Sequence, residues 1–203
     1  MAGGTVTPLE ASAEICAGAK EAGLKVHLDG ARIFNAAVFL GRPVGELAAA
    51  ADTVMFCLSK GLCAPAGSLL AGTGEDMARA RLYRKRLGGG MRQAGVLAAA
   101  GLIALEEMPQ RLAEDHANAR FLAEHLGHIA GIRIPHRVET NIVIFDVAGT
   151  GLTAAEFSRR LKERGVLCNP VDGHCLRLLT HHDVSRAACE RAAEILEQVA
   201  RGM

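Results

Sequence analysis

The sequence of 203 residues has no tryptophan, one tyrosine and only 3% aromatic residues. That argues against a core built on large rings. Half of the residues are nevertheless apolar, and alanine supplies much of that share, so the composition points to helices packed closely through small side chains. Excess charge is missing as well: 23 Lys and Arg stand against 22 Asp and Glu, a net of +1. No global field then favours nucleic acid or a membrane surface. No apolar run approaches the ~20 residues of a bilayer span. The opening Met1-Ala2-Gly3-Gly4-Thr5 has neither the charged nor the apolar region of a signal peptide. These absences read as a cytoplasmic protein without a membrane anchor. No two of Cys16, Cys57, Cys63, Cys168, Cys175 and Cys189 have C-x-x-C spacing. They sit mostly in apolar runs, so the expectation is reduced thiols in a core, not a disulfide framework. Repeats and low-complexity tracts are also lacking.

What is present is an alternation of helix and strand, which predicts α/β layers. Thr7-Pro8-Leu9-Glu10 predicts a helix to about Ala22, with Thr7 as cap, Pro8 at the first helical position and Glu10 completing a capping box. Strands are expected over 24–28, 53–58 and 67–71, and helices over 33–40, 44–51 and 75–86. The last of these carries Arg79, Arg81, Arg84, Lys85 and Arg86, read as a solvated face. Gly88-Gly89-Gly90 breaks it. Helix resumes over 93–108 and, after Pro109, over 110–126. On that helix Leu112, His116, Ala119, Ala123 and Leu126 share one face, with His116 read as a packed or half-exposed histidine and not a ligand. A boundary near Gly127 to Gly131 divides residues 1–127 from a compact α/β unit over 128–203. That unit should contain a strand over 140–147, a helix over 153–164 capped by Thr153, further strand over 166–179 and a final helix over 183–201.

Two patterns invite readings that their surroundings do not support. Gly149-Thr150-Gly151-Leu152-Thr153-Ala154 matches the dinucleotide fingerprint G-x-G-x-x-A, with Asp172 near the place of a ribose-binding acid. Too little chain follows for the usual six-stranded sheet, so a plain strand-to-helix connection is expected. His174-Cys175 with His181-His182-Asp183 lacks the regular spacing of a metal site, and no metal is expected.

The chemistry lies where two strands end. Strand 24–28 delivers Asp29, and strand 53–58 delivers Lys60. Ligands of open α/β sheets bind outside the carboxyl ends of the strands. An acid and a lysine there suit pyridoxal phosphate (PLP): the amine condenses with its aldehyde, and the carboxylate keeps its pyridine nitrogen protonated. The small residues Gly61 and Ala64-Pro65-Ala66-Gly67 would let backbone approach a flat cofactor.

Longer strings carry more specific information. His27-Leu28-Asp29-Gly30-Ala31-Arg32, Ser59-Lys60-Gly61-Leu62-Cys63-Ala64-Pro65-Ala66-Gly67-Ser68, Leu87-Gly88-Gly89-Gly90-Met91-Arg92-Gln93-Ala94-Gly95 and Arg177-Leu178-Leu179-Thr180-His181 occur in that order. Together they resemble the low-specificity L-threonine aldolases. The resemblance implies a partial PLP fold type I (aspartate aminotransferase-like) large domain followed by a small C-terminal α/β domain. It implies that Lys60 is the PLP lysine, Asp29 the pyridine partner, Arg32 a contact for both the cofactor and the substrate carboxylate, and Arg177 the second carboxylate contact. Arg92 matches an arginine near the active site, contributed across a subunit interface. His27 is read as support for the strand end. The implied reaction cleaves L-threonine or L-allo-threonine to glycine and acetaldehyde, in a homo-oligomer, a dimer or tetramer. The Asp-Gly-Ala-Arg and Gly-Gly-Gly-Met-Arg strings favour the aldolase over a β-eliminating lyase for aromatic amino acids.

Family members carry a longer segment ahead of the part that matches from Gly3. By the resemblance, that segment holds the phosphate-binding turn, the ring stacked on PLP and the base histidine. The alternative expectation is therefore a catalytically inactive remnant that cannot hold PLP alone, with apolar sheet edges left exposed.

Overall fold

The computed structural model describes residues 3–203. They form two compact units, residues 7–112 and residues 113–203 joined by residues 3–6.

In the first unit, α1 (Leu9–Glu21) starts one residue later than the capping pattern suggests. Pro8 itself is the N-cap and no side chain caps the end, so the box expected from Thr7 and Glu10 does not form. β1 (His27–Asp29) pairs in parallel with β2 (Thr53–Cys57), from His27 opposite Thr53 to Asp29 opposite Met55. β1 begins later than expected because Asp52 takes the preceding backbone: its carboxylate accepts the Val26 N–H at 2.8 Å. That hydrogen bond holds the Asp52 carboxyl below its ordinary range. β3 (Ser68–Ala71) is antiparallel to β2, and all four of its residues are exposed.

Helices α2 (Ile33–Leu40) and α3 (Val44–Ala48) join β1 to β2. α2 ends where Gly41 adopts the left-handed conformation. α4 (Gly74–Arg86) is capped by Thr73, which accepts the Asp76 N–H at 3.2 Å. It buries no residue, so its basic side chains are solvated. α5 (Gly95–Glu106) leads into a 3-10 turn at Met108–Arg111, where Pro109 ends the α-helix. The core gathers Leu58, Leu62, Ala64, Ala104 and Leu112, with Phe34 and Phe56 packed against it. Those two rings meet edge-on, 5.6 Å apart, which ties α2 to β2.

The second unit is an antiparallel sheet in the order β4-β6-β5, formed by β4 (Ile142–Asp146), β5 (Asn169–Pro170) and β6 (Cys175–Leu179). Its helices are α6 (Leu112–Gly127), α7 (Ala154–Glu163) and α8 (Arg186–Ala200). One core joins Val143, Phe145, Phe157, Leu161, Leu176, Leu196 and Val199. Residues 3–6 enter this unit from the far end of the chain. Thr140 Oγ1 donates to the Gly4 carbonyl at 2.6 Å, and the Val6 N–H donates to Glu139 at 2.7 Å. Thr153 caps α7 by accepting the Glu156 N–H at 3.2 Å. The Glu156 carboxylate pairs with Arg159 and Arg160, and those guanidiniums hold it down at about 2.

The glycine-rich string 149–154 runs from a 3-10 turn at Ala148–Thr150, past its left-handed cap Gly151, to the first residue of α7. β4 pairs with antiparallel β6, whereas a dinucleotide fold needs a parallel neighbour. Gly149 is small because another backbone presses on it: a Cβ there would lie 2.8 Å from the Gly131 Cα and carbonyl oxygen. Neither is the end of a flexible side chain. Gly149→Ala should cost about 2 kcal/mol, read as a lowered thermal midpoint.

Cys16, Cys168 and Cys189 are buried free thiols, as expected, but Cys63 is exposed. His116 is 3% exposed. Burial, with help from nearby Arg120, pushes its imidazolium below the ordinary 6.5, while Asp115 opposes the shift. The fold thus favours neutral His116. Its stabilising contribution is full above about pH 6.5 and is lost as pH falls through the lower folded-state value. The unfolding midpoint should therefore fall as pH drops below about 6.5, and His116→Asn should flatten that fall.

Candidate active site

β2 runs into a tight turn that starts at Lys60. Leu58 holds both ends of it: its N–H donates to Gly67 O, and its carbonyl accepts the Ala64 N–H, each at 3.0 Å. Inside, the Cys63 N–H donates to Lys60 O at 2.9 Å. Cys63 has a left-handed backbone, φ 61°, which a non-glycine residue adopts only when its surroundings impose it. Leu62 and Ala64 supply that constraint, being 2% and 8% exposed. Lys60 projects from an anchored turn and is itself exposed.

Asp29 ends the neighbouring parallel strand. Its carboxylate accepts the Ala31 N–H at 3.1 Å, fixing the turn into α2. The Gly30 N–H donates to Met55 O at 2.8 Å, which ties that turn to β2. Arg32 is half-buried and is the N-cap residue of α2. Its carbonyl accepts the Asn35 and Ala36 N–H groups at 3.0 and 3.2 Å. The carboxyl ends of β1 and β2 thus gather Asp29, Arg32 and Lys60 within one unit. His27 bonds across the opening of the same strand pair, with Nδ1 2.8 Å from Thr53 Oγ1.

The other two residues belong to other elements. Arg92 is exposed in the loop between α4 and α5, beside Gln93 with φ 51°. Arg177 is half-buried on β6 of the second unit, opposite Ile144 and Asn169. Its carbonyl accepts the Cys168 Sγ–H at 3.5 Å, and burial pushes that thiol up to about 12. Sequence reasoning passed over Asn35, which is 3% exposed on α2. Its one signal is a lone carboxamide in the run Ile33-Phe34-Asn35-Ala36-Ala37.

This arrangement belongs to a known structural class. The chain superimposes on a threonine aldolase from Leishmania major with a TM-score of 0.77, at 21% identity, over 98% of this chain and 58% of that one. The shared architecture is PLP fold type I. The Beta-eliminating lyase family model matches residues 1–150, and the chain belongs to that family. It is 44% identical over 185 residues to Low-specificity L-threonine aldolase 1 of Arabidopsis thaliana, covering 90% of this chain and 52% of that protein. It is also 44% identical over 192 residues to the low specificity L-threonine aldolase of Escherichia coli K12, covering 95% and 55% respectively. The chain spans about half the length of the curated relatives it matches. No helix among the described residues is long and apolar enough to cross a membrane.

Proposed function

We propose that this chain carries residues of a PLP-dependent aldolase that cleaves L-threonine or L-allo-threonine to glycine and acetaldehyde. The observation that supports the reading is that Asp29 closes β1 and Lys60 follows β2, the two strands being adjacent and parallel. The donor set fits PLP. A carboxylate is available to pair with a pyridine nitrogen, a primary amine is available to an aldehyde, and Gly61 leaves the turn beside that amine without a side chain. Lys60 would hold the cofactor covalently, and Asp29 would keep a proton on its ring nitrogen. When bound, the cofactor supplies a sink for the electrons left on Cα.

The remaining assignments concern the substrate and rest on the family resemblance. Arg32 and Arg177 are given its carboxylate, because paired guanidinium hydrogen bonds fix orientation as well as charge. Arg92 is assigned a supporting contact near the substrate, in a homo-oligomer, a dimer or tetramer. The test is glycine released from L-threonine and from L-allo-threonine by the purified chain. Release no greater than from Lys60→Ala would refute the reading.

A second reading, that the chain alone fails to retain PLP, draws support from the exposure of both Asp29 and Lys60. It expects no PLP to stay with the chain through gel filtration; a stoichiometric complex would rule it out.

A further inference from the structure

Asn35 is a polar residue buried on α2, two residues from each of the buried Ile33 and Ala37 and so on a different face of the helix from them. Burying a carboxamide costs free energy that an apolar side chain would not. The backbone packed on it belongs to Gly61, the residue after Lys60. A Cβ added at Gly61 would lie 3.2 Å from Asn35 Oδ1, 3.8 Å from Nδ2 and 2.9 Å from Leu112 Cδ2. The turn can sit this close only because residue 61 has no side chain. α2 is also the helix that leaves Asp29 through Gly30 and carries Arg32 at its start. One buried amide therefore separates the element that fixes Asp29 from the turn that presents Lys60.

We infer that Asn35 is a positioning residue for Lys60: it is the polar seat on which the Gly61 backbone rests, and it sets where the Lys60 turn lies relative to Asp29. The inference rests on the reading of Lys60 as the PLP lysine. Asn35 acts through Gly61 and itself touches neither cofactor nor substrate. Its removal loosens the turn without unpairing the strands.

Amide hydrogen exchange on the full chain, without cofactor, reads this directly. The Cys63 and Ala64 amides, which donate to Lys60 O and Leu58 O, report the turn. In Asn35→Ala both should exchange at least about tenfold faster, with β2–β3 amides held within about twofold. Uniform acceleration across the sheet, or none at the turn, would overturn the inference, because a simple packing residue gives the former and an idle one the latter. Should Asn35→Ala fail to fold, Asn35→Asp keeps the shape. It should loosen the turn when its carboxyl is ionised and restore it on acidification, once intrinsic exchange rates are divided out; loosening that does not depend on ionisation would count against the inference.

A second readout uses PLP followed by borohydride and peptide mass mapping. The pyridoxyl group on Lys60 should fall at least about fivefold in Asn35→Ala, with other lysines unchanged. An equal yield in both proteins sinks this inference alone. No adduct on Lys60 in the unsubstituted chain sinks the cofactor reading and this inference with it.

Discussion

Lys60→Ala is expected to remove the borohydride-stable PLP adduct from the chain and to lower glycine release from L-threonine by about a thousandfold or more, since the variant loses the group that makes the covalent attachment. The side chain is exposed and leaves an anchored turn, so its truncation removes chemistry and leaves the packing intact. The unfolding free energy should stay within about 0.5 kcal/mol of the parent, as for an ordinary surface change. Lys25 gives the matched control, because it lies in the same unit and is engaged with Asp52 at 3.3 Å. Lys25→Ala should keep the adduct and the activity. Glycine release that persists in Lys60→Ala would show that the chemistry belongs to another residue.

The largest stability effect is expected at Phe157, whose side chain is fully buried on α7 in the core of the second unit. Its ring meets Phe145 of β4 edge-on, with centroids 6.1 Å apart and planes at 70°. Phe157→Ala should cost about 3–5 kcal/mol, because it deletes a ring from a close-packed core and strands the edge-on partner. Urea unfolding followed by a probe in the second unit measures the loss. Arg177 stands on β6, which pairs with the strand bearing Phe145. Any function of Arg177 should therefore fade at lower denaturant in this variant. A loss below about 1 kcal/mol would mean that the site collapses onto the gap.

Much of this was legible locally. A polar residue that ends an apolar run marks the end of a strand, and Asp29 and Lys60 were found in that way. The span of α2 follows from Gly41, whose left-handed backbone stops the helix at the expected residue. Other features depend on residues far apart in sequence. The late start of β1 is set by Asp52, which captures the Val26 N–H. The seat beneath Gly61 needs Asn35 and Leu112, and no window of sequence contains all three. At Thr7 two local signals competed, and Pro8 took the cap itself. The glycines at 149 and 151 matched a fingerprint for reasons unrelated to nucleotides, since Gly149 yields to the backbone at Gly131.

The hydrogen bonds from Thr140 and Val6 that bind residues 4 and 6 to Thr140 and Glu139 give synthesis on the ribosome a particular order. The segment emerges early, yet its partners leave the exit tunnel only after the whole of the first unit has been made. Until then it must wait, and a nascent chain stalled before residue 139 should leave it open to protease. Because loop-closure cost grows only with the logarithm of length, the delay is inexpensive at equilibrium and shows itself in timing.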